Sequence, residues 1–220
     1  MPELVLWDID HTLMATRGLG GELWGQAFEQ VTGVELREQA DVTGSTERVI
    51  LRETARLHDI AYDEGLFTRF AEALGTLHMR RAAELRERGH ALPGAAGVLA
   101  ALQDRGIRQS VVTGNVRKAA EAKLATFGLD SYLRLDEGAY AEDGETRPEL
   151  LRAALTRAGV DPKSAVFIGD TPADVAGGLE TGVRVVAVAT GRTAADELRD
   201  ADEVLADLSE TNRVLETLGA

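Results

Sequence analysis

The chain contains no cysteine. That excludes disulfide cross-links, thiolate nucleophiles and cysteine-ligated zinc together. It also lacks any apolar run approaching the roughly 18 residues of a membrane-spanning helix. Its first residues lead into an acidic, strand-like segment, Leu4 to Asp10, with no basic-then-apolar secretory pattern, so the expected location is the cytoplasm. Positive charge is in short supply: 24 Lys and Arg face 37 Asp and Glu, leaving a net charge of −13 over 220 residues. Nucleic acids and anionic membrane surfaces call for a cationic face, and neither is an expected partner. Lysine is the scarcest base, with only Lys118, Lys123 and Lys163 among many arginines. This reads as a compositional bias, so an arginine standing where lysine is customary says little by itself. What remains, 44% hydrophobic and 28% charged residues, is the make-up of a globular chain long enough to bury a sizeable core.

Short, nearly continuous apolar runs occur at Leu4–Ile9, Ile107–Val112, Ala165–Ile168 and Val183–Val188, as expected of strands buried on both faces. Helical patterns follow at Ala95–Arg105, Val116–Phe127, Glu149–Ala158 and Ala173–Glu180. This alternation predicts an α/β fold, a Rossmann-like parallel sheet with helices on both faces. Residues 15–90 interrupt it with helical segments at Leu19–Thr32, Thr46–Leu57 and Glu64–Arg88 and no convincing buried strand. The expected division is an α/β core of residues 1–14 and 91–220 with an all-helical insert of residues 15–90. Pro93-Gly94 marks the return to the core.

In open α/β sheets, functional groups collect at the carboxyl ends of the strands. Asp8-Ile9-Asp10-His11-Thr12 follows the first run, Thr113-Gly114-Asn115 the second, and Gly169-Asp170-Thr171-Pro172-Ala173-Asp174 the third. Each alone is an ordinary turn or helix cap. Together they bring four carboxylates and a hydroxyl to one rim, an arrangement that repels itself unless a cation sits within it. Oxygen-only ligands favour Mg²⁺.

The ordered set Asp8-x-Asp10-x-Thr12, Thr113, Arg147-Pro148 and Gly169-Asp170-x-x-x-Asp174 resembles the haloacid dehalogenase superfamily, and within it phosphatases of the phosphoglycolate-phosphatase-like type. The resemblance spans nearly the whole chain, with the insert where those proteins carry a helical cap. It implies Mg²⁺-dependent hydrolysis of a small phosphomonoester, with Asp8 as nucleophile and an aspartyl-phosphate intermediate. Asp10 would protonate the leaving alcohol and then activate water. Asp8, the main-chain carbonyl of Asp10, and Asp170 would hold the metal, with Asp174 in support. Thr113 would grip the phosphoryl oxygens beside Thr12, Gly114 and Asn115. In the insert, Arg17, Thr43 and Arg48 would meet the substrate. The same motifs suit a sugar phosphomutase, and a phosphate-responsive regulatory module shares some of them. The implied partner is a small phosphorylated metabolite, and the expected state a monomer or weak dimer.

The family's customary motif lysine is replaced by Arg147, which keeps the charge with a bulkier, forked geometry. Lys118 and Lys123 fall on the helix after Thr113 and read as solvated. His11 stands where the family has glycine. His58, His78 and His90 show no ligand spacing and read as surface or packing residues. Trp24 and Phe28, four apart, read as core.

Overall fold

The computed structural model describes residues 1–41 and 44–220. Five parallel strands form the sheet: β1 (Leu4–Trp7), β4 (Arg108–Val111), β5 (Ala165–Gly169), β6 (Arg184–Val188) and β7 (Glu203–Leu205), in the order β4-β1-β5-β6-β7. β1 pairs with β4 on one side and β5 on the other, so the chain direction across the sheet reverses at β1. The crevice beyond its carboxyl end is where an open α/β sheet receives a ligand. Period-two alternation divides β1 between the two faces. Val5 and Trp7 join the larger core with the helices that include α5 (Ala95–Asp104), α6 (Arg117–Thr126) and α9 (Thr211–Leu218). Leu4 and Leu6 pack with Phe167 against Leu150, Leu151 and Ala154 of α7 (Arg147–Ala158). A final core helix, α8 (Pro172–Thr181), follows β5.

Between β2 (Met14–Ala15) and β3 (His90–Ala91), which pair antiparallel, the described residues form four helices: α1 (Leu19–Thr32), α2 (Glu47–Leu57), α3 (Glu64–Arg80) and α4 (Ala82–Arg88). The expected helix over Glu64–Arg88 is therefore broken at Arg81, whose φ of −103° and ψ of 20° leave helical geometry. The pattern also gave no warning of β7, a three-residue strand too short to show alternation, nor of α9. The same apolar core runs from the sheet face through Leu23 and Phe28 of α1 and Phe70 and Leu74 of α3. No helix among the described residues is long and apolar enough to cross a membrane.

Candidate active site

The strand ends deliver the acidic residues as a buried cluster. The carboxylates of Asp8, Asp170 and Asp174 come within 4.8 Å of one another. Asp174 is fixed by helix capping: its Oδ2 accepts from the Asp170 and Thr171 N–H groups and the Thr171 hydroxyl, at 3.2, 3.0 and 2.8 Å. Thr171 is the N-cap of α8, so one capping box both starts the helix and aims Asp174. Its Oδ1 faces Arg147 Nε at 2.6 Å, and Arg147 Nη2 lies 3.5 Å from Asp8 Oδ1. Arg147 opens α7 after the Thr146 cap, and its stem passes against Gly177 of α8, where a β-carbon would stand 2.7 Å from Arg147 Cγ. Only a residue without a side chain lets the guanidinium through.

One guanidinium does not neutralise three buried carboxylates. Burial pushes the Asp8 carboxyl well above its ordinary value, and Asp174, Asp170 and Asp10 push the same way against Arg147. Burial and Asp174 together raise Asp170 to about 7. A β-carbon at Gly191 would collide with the Asp170 carboxylate, so the fold leaves that carboxylate room and little charge balance. An all-oxygen set under this electrostatic load fits a hard divalent cation.

Asp10 is held differently. Its Oδ2 accepts from Lys123 Nζ and from Asn115 Nδ2, both at 2.7 Å. Burial alone would raise its carboxyl, but Lys123 and Asn115 outweigh that and hold it below the usual range. Asp10 lies outside the three-carboxylate cluster. Lys123 is thus no solvated residue: it is 4% exposed, with Nζ also 2.5 Å from Asn115 Oδ1. The signal lay in spacing, since Val116, Ala119, Ala120, Lys123 and Leu124 fall on one helical face. Lys118, by contrast, pairs with Glu72 at the surface.

A cavity of about 360 Å³ opens over Asp8 and Asp10, between the sheet rim and helices α1–α3. Thr113, Gly114, Asn115, Lys123, Arg147 and Asp170 also line it. Thr113 Oγ1 accepts twice from Asn115, leaving its own proton to donate. Asn115 is spent on Asp10, Thr113 and Lys123 and orders the site from behind. Gly114 gives its carbonyl to the Glu47 N–H at 2.7 Å, tying α2 to the core. His11 lines the cavity in a left-handed conformation, φ 64°, as a residue at a glycine position requires.

Three expected substrate contacts lie elsewhere. Thr12 is fully buried and donates to Asp170 Oδ1 at 3.3 Å, outside the cavity wall. Arg17 is exposed and away from the cavity, in a left-handed turn with φ 48°. Arg48 turns outward because better partners lie there: Ala141 O at 3.0 Å, Glu64 Oε1 at 2.5 Å and the Phe67 ring face at 3.9 Å. Thr43 lies outside the described residues. Trp24 of α1 and His78 of α3, which read as core and packing in the sequence, also line the cavity. Both sit at apolar-face spacing, which conceals a polar edge.

The sequence profile of the family described as "Haloacid dehalogenase-like hydrolase" matches residues 5–188. A phosphoglycolate phosphatase of Rhodospirillum rubrum is 38% identical over 100 residues, which are 45% of this chain and 42% of that protein. The pyrophosphatase PpaX of Halalkalibacterium halodurans is 29% identical over 105 residues, 46% of this chain and 47% of that one. This chain thus spans about half the length of these curated relatives. Among solved structures, CbbY from Rhodobacter sphaeroides in complex with phosphate superposes with a TM-score of 0.76 over 96% of each chain, at 21% identity. With the family profile covering most of its length, the chain belongs to the haloacid dehalogenase-like hydrolases.

Proposed function

We propose that the protein is a Mg²⁺-dependent phosphatase acting on a small phosphorylated metabolite, with residues 1–14 and 91–220 as its catalytic core and 15–90 as its cap. The observation that carries this reading is the pairing of two carboxylates from one loop in opposite electrostatic settings. Asp8 is buried among acids beside Arg147, while Asp10 is paired with Lys123 at the cavity. A cation among the acids would keep Asp8 ionised for attack, and the Lys123 pair sets Asp10 apart for proton exchange. The phosphatase and pyrophosphatase relatives support the same reaction class.

An Asp8 carboxylate oxygen attacks phosphorus, forming the aspartyl-phosphate as the bond from phosphorus to the leaving oxygen breaks. Asp10, held ionised beside Lys123, takes up a proton from solvent as the ester binds and gives it to that oxygen, then takes one from the water that attacks phosphorus, releasing phosphate and restoring Asp8. Both protein contacts to Asp10 fall on Oδ2, which leaves Oδ1 for the leaving oxygen. The Thr113 hydroxyl and the Arg147 guanidinium bind phosphoryl oxygens and oppose their charge. Asp8, Asp170 and the Asp10 carbonyl are the residues to hold Mg²⁺, with Asp174 behind them. Held by these residues, Mg²⁺ would supply charge neutralisation of the carboxylates and polarisation of the phosphoryl group. Helices α1–α3, which wall the cavity, exclude bulk water while the intermediate exists.

The test is phosphate release from a panel of phosphomonoesters, with Mg²⁺ or chelator, for the wild-type protein and Asp8→Asn. Release that requires Mg²⁺ and vanishes in Asp8→Asn is expected. Equal release by both proteins contradicts the proposal.

A further inference from the structure

Two residues on the cap side of the cavity each carry a buried polar atom with no partner, Trp24 Nε1 and His78 Nε2. Both side chains line the cavity and are at least nine-tenths buried. A buried polar atom left without a hydrogen bond costs about 1–3 kcal/mol, so two on one wall call for an explanation. Their chemistry is fixed. Indole Nε1 can only donate. His78 Nδ1 lies 3.0 Å from the Leu74 carbonyl, which accepts only, so Nδ1 carries the proton and Nε2 of the neutral ring is an acceptor. Burial and Lys123 hold that ring neutral, with its pKa lowered to about 4.

The wall thus offers one donor and one acceptor without net charge. A hydroxyl group supplies the complement of both. A carboxylate or a second phosphate supplies acceptors alone and brings a charge that this wall does not meet. Lys123 is committed to Asp10 and Asn115, and Arg147 to Asp8 and Asp174. Glu47, on the same side, accepts the Val116 N–H at 2.6 Å, and burial raises its carboxyl to about 7, so it supplies no cation for an anion. Among the described cavity residues the one cation without a carboxylate partner is Arg192, an exposed residue carried by the core rather than by the cap helices.

We propose that Trp24 and His78 form a subsite for hydroxyl groups of the leaving alcohol, so that the substrate is the phosphate ester of an uncharged polyhydroxy compound. This rests on the phosphatase reading and narrows it away from carboxylated esters and pyrophosphate.

The experiment compares kcat/KM of the Mg²⁺-loaded wild-type protein for glycerol 3-phosphate, erythritol 4-phosphate, methyl phosphate, phosphoglycolate and pyrophosphate. The polyol esters are expected to exceed phosphoglycolate and pyrophosphate by about tenfold or more. In Trp24→Phe and His78→Phe, the ratio of polyol ester to methyl phosphate is expected to fall about tenfold. A preference for phosphoglycolate or pyrophosphate overturns the subsite and leaves the phosphatase reading standing, as does an unchanged ratio in both variants. If either variant does not fold, the wild-type ranking decides. If no compound releases phosphate, the phosphatase reading fails. Calorimetric binding to Asp8→Asn then judges the subsite alone: tighter binding of erythritol 4-phosphate than of phosphoglycolate supports it, and equal or weaker binding overturns it.

Discussion

The two walls of the cavity are built on opposite principles. On the sheet rim, Asp8, Asp170, Asp174 and Arg147 crowd charge into a buried space and fix it with capping bonds and ion pairs. On the cap wall, Trp24 and His78 keep net charge at zero and leave hydrogen-bonding capacity unused. The difference teaches a division of labour: the charged wall suits the group that every phosphate ester shares, and the neutral wall the group that distinguishes one ester from another.

Breaking the charged wall should have the largest effects. Asp8→Asn is expected to lower phosphate release by more than about 1000-fold in a steady-state assay, because the nucleophile is lost while the shape is kept. Arg147→Ala leaves buried carboxylates without their cation and should cost about 3–5 kcal/mol in denaturant unfolding. Arg147→Lys should lose less. An Arg147→Ala protein as stable as wild type would show that the acidic cluster does not depend on this cation.

The neutral wall should respond to pH instead. His78 has a folded pKa near 4 against an ordinary 6.5, so between those values the unfolded chain binds the extra proton. The His78 contribution is therefore present above pH 6.5 and is lost as pH falls towards 4. Its size is up to about 3 kcal/mol. Thermal melts across that range should show a shallower acid decline in His78→Gln than in wild type, and parallel curves would contradict a buried neutral imidazole.

The two lysines of α6 should differ in proportion to their burial, with the smallest changes of all. Lys123→Met removes a buried partner of the part-exposed Asp10 and should cost about 1–3 kcal/mol. Lys118→Ala breaks an exposed pair with Glu72 and should stay within about 0.5 kcal/mol. Similar losses in both would deny Lys123 its buried position.

The charged wall was largely legible because its residues follow apolar runs directly. Asp8, Thr113 and Asp170 each stand where a buried strand ends, and strand order brings such ends together. Arg147 was legible only through the Arg-Pro pair, since its reach to Asp8 depends on Gly177 in another helix. The neutral wall was not legible. Trp24 and His78 occupy apolar-face positions of α1 and α3, where an indole or imidazole reads as packing, and their unpartnered atoms appear only once the helices are docked. Arg48 erred the other way, because a charge at a helix start can turn to either side and here the carbonyl of Ala141 and Glu64 lie outward. β7 was missed because a three-residue strand is too short for periodicity to speak, whereas α9 does show an apolar face in Val214, Leu215 and Leu218 but lies beyond the strand–helix alternation that the apolar runs mark out.

The most direct test of the central claim is rapid-quench mass spectrometry of the Mg²⁺-loaded enzyme during turnover of its preferred ester. A phosphoryl group is expected on the peptide containing Asp8, appearing and decaying at rates compatible with turnover and absent from Asp8→Asn. Sustained phosphate release with no phosphorylated Asp8 peptide at any time would mean that water attacks the ester directly, and would contradict the assignment of Asp8 as nucleophile.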